Sequence, residues 1–265
     1  MEVLMNKVRT FAAALLASWG MISDYTFPRS VLKHFKMQIP SRLVLFCFPL
    51  AGVFAALLAL LPAWLATALF NRFAGALIFT FLGALLLFFK DSGRGVALLV
   101  SYITSRISGV PPSIALQRCD SRLSSVLKNP VVILLTGIGI IAVLGMLFAL
   151  FYRGAGLWLT AVCAADAMVQ GRLCLEPDRN GMMPFIRSGE SGKNYLAAGA
   201  LITGVLLLCV FPKIAALGLM VVMWVWFWRE LPGIEEFSDG LSSDWITMCG
   251  FWGALVTLLC GMGLL

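Results

Sequence analysis

Long apolar runs constrain the fold of this chain more than any other feature. Residues 130–152, for example, contain no charged side chain. A helix needs about 20 apolar residues to cross a bilayer, because lipid offers the backbone no other hydrogen-bond partner. Seven stretches reach or approach that length and are predicted as transmembrane helices: 43–70, 73–89, 130–152, 155–169, 195–212, 213–228 and 245–265.

The composition supports a membrane protein. Apolar side chains make up 60% of the 265 residues and charged side chains 12%, with a mean hydropathy of +0.94. In soluble domains roughly a quarter of the residues are charged. We therefore predict that residues 1–265 form a single membrane domain, an all-α polytopic helical bundle of about seven transmembrane helices.

The segments between the apolar runs differ in length. Tight turns at Asn71-Arg72, Arg153-Gly154 and Pro212-Lys213 predict helical hairpins. The N-terminal segment 1–42 is predicted to be cytoplasmic or interfacial, with a retained amphipathic or re-entrant helix over 3–22. A further weakly apolar stretch, 95–107, is interpreted as a second interfacial segment.

Basic residues predict the orientation. With the N-terminus inside, 17 of the 20 Lys and Arg fall on the side of the long loops, and only Arg72, Arg153 and Lys213 fall on the other side. Cytoplasmic loops are rich in Lys and Arg, so this side is predicted to face the cytoplasm. The main cytoplasmic loop is then 90–129, with further loops at 170–194 and 229–244. The chain is thus predicted to be a multi-pass protein of the cytoplasmic (inner) membrane.

The net charge of +7 is explained by these loops, so membrane lipid, and not nucleic acid, is the predicted partner. The most polar segment, Lys90 to Lys128, carries six basic residues and two aspartates in 39 residues. Within it, Arg118 and Arg122 flank Asp120 and Ser121. Guanidinium groups bind phosphate in a bidentate manner, which favours an anion-binding site. The alternative is a solvated cytoplasmic loop, whose basic residues would be explained by the general abundance of Lys and Arg on that side of a membrane.

A cluster of acidic residues and a single aspartate are further candidates for a functional site. Five acids lie between Glu230 and Asp244, just before the last apolar run. A divalent metal would relieve their mutual repulsion, and pairing with nearby arginines would do so equally. Asp166 lies near the end of the predicted span 155–169. An ionisable group at membrane depth is a functional candidate, although Asp166 could equally lie at the interface.

Three segments, in this order, resemble motifs of the cobalamin synthase family (adenosylcobinamide-GDP ribazoletransferase). They are Phe48-Pro49-Leu50-Ala51-Gly52, Asp120-Ser121-Arg122-Leu123 and Gly240-Leu241-Ser242-Ser243-Asp244. The resemblance implies a polytopic membrane transferase that moves the adenosylcobinamide-phosphoryl group from its GDP conjugate to α-ribazole. It further implies that Asp120 and Arg122 are catalytic and that Arg118 and Ser121 contact the substrate phosphate. It implies Mg²⁺ held by Asp120, Asp244 and Asp91, and partners that are corrinoid, α-ribazole, a second copy or other cobalamin-pathway proteins.

One motif of the family is absent. Its D-G-x-x-D-x-x-D-G sequence, counted back from Asp120 without gaps, falls on the segment from Val96 to Thr104, which has no aspartate. A shift of five residues places only Asp91 on an aspartate of the motif. Mg²⁺ depends on carboxylates to offset its dehydration. The sequence therefore leaves a second function open: a catalytically inactive relative that acts as a membrane binding or scaffold subunit.

Overall fold

The computed structural model describes residues 2–22, 41–89, 94–111, 130–173, 190–210 and 243–263. Within these ranges the regular structure is entirely helical, with no strand. A π-helical turn, Leu85–Phe89, extends the third of the eight α-helices in the described part of the chain. The α-helices are α1 (Glu2–Ile22), α2 (Ser41–Leu69), α3 (Arg72–Ala84), α4 (Arg94–Ile107), α5 (Pro130–Tyr152), α6 (Trp158–Leu173), α7 (Glu190–Val210) and α8 (Ser243–Met262).

These helices confirm the all-α class. Helix α5 has the bounds predicted for it, and α2, α3, α6, α7 and α8 each overlap a predicted span. The predicted span 213–228 lies outside the described residues. By length and apolar composition, two described helices could cross a membrane, Arg42–Leu69 and Pro130–Tyr152. A count of seven spans stays a prediction.

Helix α6 forms the centre of the bundle. Every residue from 158 to 167 is buried, and the alanines among them leave room for neighbours. Helix α2 packs on one side of α6 and α8 on another. A side chain at Gly52 of α2 would collide with the backbone carbonyl of Cys163, so glycine is required at this crossing. Close approach through small residues is typical of helices that pack in a membrane.

Two tight turns lie at one end of the bundle, as their sequences predict. Asn71 caps α3, and its side-chain oxygen accepts a hydrogen bond from the Ala74 N–H at 2.8 Å. Gly154 lies in the turn that follows α5 and has a φ of +90°, a backbone conformation that favours glycine. The Arg72 guanidinium lies 5.8 Å from the centre of the Tyr152 ring. This contact brings the two hairpin turns together.

The outer helices expose large apolar side chains. Buried residues make up 61% of the most apolar window of α2 but only 17% of that of α5. On α5, Leu134 is 64% exposed and Ile141 70% exposed. A surface of this kind is unusual on a soluble monomer and is what a spanning helix presents to lipid. The described part of the chain is therefore compatible with a membrane protein.

Helix α4 covers the weakly apolar segment 95–107, and its first turn is buried in the bundle. Its residues Val96, Ala97, Leu98 and Leu99 are at most 7% exposed. Val96, Leu98 and Leu99 belong to the main core, while Ala97 packs beside Val132 of α5. Four successive residues point to every side of a helix, so the first turn of α4 is buried all round, whereas Ile103 is 37% and Ile107 77% exposed. Residues 94–107 of the predicted loop 90–129 are thus helical, and their first turn joins the core.

Candidate functional site

Most of the residues predicted for the site fall outside the described residues. This holds for Asp91, Arg118, Asp120, Ser121 and Arg122. Asp244 is the second residue of α8, and its side chain is not among those described. Their catalytic, phosphate-binding and metal-binding roles stay predictions.

The segment Phe48 to Gly52 lies on α2, where it packs against α6. Phe48 is fully buried and contacts the backbone of α6, since a Cβ at Gly171 would lie 3.0 Å from the Phe48 ring. Gly52, one turn later, allows the closest approach of the two helices. Pro49 lies within α2, in the same buried region. In this structure the segment acts in helix packing.

The residues of α4 do not fit a magnesium site. Without gaps, the three aspartate positions of the family motif fall on Val96, Val100 and Ile103, which have no oxygen ligand in their side chains. With the five-residue shift, the second and third positions fall on Gly95 and Leu98. In either register α4 offers Mg²⁺ no carboxylate. Among the side chains that the structure describes, no group of three or more His, Cys, Asp or Glu could hold a metal ion.

Asp166 is the one predicted candidate whose surroundings the structure describes. It was predicted near the end of a span, but it lies in the middle of α6 and is 4% exposed. Gln170, one turn later, is 6% exposed, and its Nε2 donates a hydrogen bond to Asp166 Oδ1 at 2.9 Å. The two side chains form a buried polar pair in a largely apolar core.

Gly250 of α8 lies across from this pair. A Cβ at Gly250 would lie 2.5 Å from Asp166 Oδ1 and 3.0 Å from Gln170 Nε2. The missing side chain thus leaves the space that the carboxylate and the amide occupy. A buried carboxylate is costly unless it is hydrogen-bonded and either paired or protonated, and Gln170 supplies one hydrogen bond.

The pair lies below the end of the bundle from which the predicted loops extend. Asp166 is seven residues before the end of α6 at Leu173, and Gly250 is seven residues after the start of α8 at Ser243. At 1.5 Å per helical residue, each separation is about 10 Å along the axis. Chemically, the pair is a hydrogen-bonded carboxylate and amide enclosed in the core, with both side chains at most 6% exposed.

Sequence reasoning missed two members of this arrangement. The spacing of Asp166 and Gln170, four residues apart, places them on the same face of a helix and could have indicated the pair. Gly250 gives no such signal, because its role depends on a contact between α8 and α6.

Fold and site together define a helical bundle with two candidate membrane spans and a buried Asp–Gln pair. The chain has no significant match among protein-family models, curated proteins or solved structures.

Proposed function

We propose that this chain is a divergent, cobalamin-synthase-like membrane protein that binds a phosphorylated corrinoid or nucleotide without the magnesium-dependent transfer of the family. The observation that carries the proposal is the burial of Val96, Ala97, Leu98 and Leu99 in α4. In the ungapped register, the family's aspartate motif begins at the first of these residues.

The surroundings of the first turn of α4 count against a metal site there. Val96 and Leu98 share the core with residues of α6 and α8, and Phe88 lies 5.8 Å from Phe251 between ring centres. A metal cradle at this place would need water, carboxylates and an open wall. Burying a Val or Leu side chain stabilises a protein by about 1.5–3 kcal/mol. An open cradle would lose that contribution for each residue it exposed.

The proposed ligand site is the loop end of the bundle, at the cytoplasmic face of the inner membrane. Arg118 and Arg122 would bind phosphate oxygens there, with Ser121 as a further donor. Other cobalamin-pathway proteins or a second copy of the chain are the proposed partners. The buried Asp166–Gln170 pair of α6 lies about 10 Å below this end, and Gly250 of α8 leaves room for it.

The second candidate is the transferase itself. It is favoured by the order of the three motif-like segments and by the position of Asp244 at the start of α8. In this form Asp120 and Arg122 are catalytic, and Asp91, Asp120 and Asp244 are the remaining metal ligands. The substrates are then adenosylcobinamide-GDP and α-ribazole.

One experiment separates the two functions. Purified protein in lipid is given Mg²⁺, adenosylcobinamide-GDP and α-ribazole, and both GMP release and corrinoid retention are measured beside an active family member. The binding function predicts retained corrinoid and no GMP. GMP release would establish the transferase, and the absence of both retention and release would refute the family proposal.

Variants identify the site. The double variant Arg118→Gln/Arg122→Gln is expected to weaken corrinoid retention at least tenfold. Arg106→Gln is the matched control, because Arg106 is an exposed cation of the same segment whose Nη1 donates a hydrogen bond to the Val110 carbonyl at 2.8 Å. Equal retention by the double variant and the control would exclude a phosphate site at Arg118 and Arg122.

A further inference from the structure

A groove lies between the N-terminal half of α1 and the start of α2. Its volume is about 670 Å³, within the usual range for ligand sites. Val8, Phe11 and Leu43 supply apolar walls, and Lys7 is the charged residue among the lining residues that the structure describes. The groove is lined by Asn6, Lys7, Val8, Thr10, Phe11 and Leu43.

Positive charge surrounds this groove. Lys7 and Arg9 are exposed on α1, and Arg42 is exposed next to the lining residue Leu43. None of the lining residues that the structure describes is acidic. The Thr10 hydroxyl donates a hydrogen bond to the Asn6 carbonyl at 2.8 Å, so Lys7 is left as the cationic donor of the described lining. An anionic group is therefore the complementary occupant.

Exposed apolar side chains beside the groove indicate that the ligand also has an apolar part. Met5, Val8 and Phe11 are exposed beside the cations on α1. Exposed apolar side chains next to Lys and Arg are typical of helices at a membrane surface, where acyl chains and headgroup phosphates lie close together. A soluble phosphate would satisfy Lys7 but leave the apolar walls uncovered.

The second half of α1 holds the groove in place. Ala13 and Ala14 are fully buried. The Ser18 hydroxyl, also buried, donates to the Val44 carbonyl of α2 at 2.8 Å. Only the N-terminal half of α1 is therefore open to a ligand, while its other half is fixed to the bundle.

We propose that this groove is a binding site for an anionic phospholipid of the surrounding membrane. One acyl chain lies along Val8, Phe11 and Leu43, and the headgroup phosphate lies at Lys7. Arg9, on the other side of α1, adds to the positive potential near the membrane surface. This inference goes beyond the proposed function and requires only that the bundle sits in a membrane.

Native mass spectrometry of the full chain tests the site with two lipids of equal acyl length, phosphatidylglycerol and phosphatidylcholine. Each basic side chain near a membrane surface strengthens anionic-lipid binding about fivefold. The variant Lys7→Gln/Arg9→Gln is thus expected to bind phosphatidylglycerol about 25-fold more weakly. Arg153→Gln, which removes an exposed cation from a hairpin turn, is expected to bind as the wild type does.

Two more variants test the apolar wall and the positive charge separately. Phe11→Ser is expected to weaken both lipids, and Lys7→Arg/Arg9→Lys to keep the preference for phosphatidylglycerol. Circular dichroism in phosphatidylcholine checks that each variant is folded. Equal binding of the two lipids by the wild type, an unchanged Lys7→Gln/Arg9→Gln variant, or equal binding of free glycerol phosphate would each overturn the proposal.

Discussion

The close approach of α2 and α6 predicts a large difference between two glycine-to-alanine substitutions. At Gly52, an added Cβ would collide with the Cys163 carbonyl oxygen and lie 2.7 Å from its carbon and 2.9 Å from the Ala164 nitrogen. All three are backbone atoms, so no side chain can rotate away. At Gly145 of α5, an added Cβ meets nothing within 4 Å.

The magnitudes follow from these two environments. Overpacking a core costs about 1–3 kcal/mol, and a rigid backbone obstacle places Gly52→Ala in the upper part of that range. Alanine recovers about 0.5–1 kcal/mol in helix propensity, which leaves a net loss of about 1–2 kcal/mol. At Gly145 only the propensity gain remains. For a chain of this size, about 1 kcal/mol shifts the Tm by roughly 2–4 °C.

The assay is thermal unfolding monitored by circular dichroism, with all variants in the same detergent and lipid mixture. All variants are heated at the same rate, because unfolding of such proteins is often irreversible. We expect Gly52→Ala to lower the Tm by about 2–8 °C and Gly145→Ala to raise it by about 1–4 °C. A Gly52→Ala variant as stable as the wild type would refute the contact, and so would an equal loss in both variants.

Three further substitutions test other contacts by the same measurement. Gln170→Leu removes a hydrogen-bond donor to Asp166 and should lower the free energy of unfolding by about 1–3 kcal/mol. Adding Asp166→Asn to that variant should restore part of the loss, and purely additive effects of the two substitutions would contradict the proposed interaction between the side chains. Asn71→Ala should cost about 1 kcal/mol through loss of the α3 cap, and Asn71→Asp should keep most of the stability. Gly154→Ala should destabilise because of its φ of +90°, while Gly137→Ala, an open helical position, should not.

Helix α5 shows what the sequence could predict. Its bounds follow from Pro130, which suits the first turn of a helix, and from the Arg153-Gly154 turn at its other end. Between them every residue is uncharged, so no internal signal competes with a helix. The local sequence alone was therefore sufficient to predict the bounds of α5.

Helix α6 shows where local reasoning fails. The sequence predicts a span that ends at residue 169 and leaves Asp166 either at membrane depth or at the interface, but the helix continues to Leu173. A carboxylate in an apolar run normally indicates an end, because burial of a charge is costly. Here Gln170 donates to it and Gly250 leaves room for it, and both facts depend on tertiary contacts. The same limit applies to the predicted site at Asp120, which lies outside the described residues.

Helix α4 connects stability to the proposed function. Val96 and Leu98 are core side chains, and an aspartate in either place would be buried among apolar neighbours. Burial of an unpaired carboxylate costs several kcal/mol, while loss of the apolar side chain removes about 1.5–3 kcal/mol more. A single substitution by aspartate at Val96 or Leu98 would therefore destabilise the bundle before it could supply a metal ligand. Packing of α4 and a magnesium cradle exclude each other at these two positions.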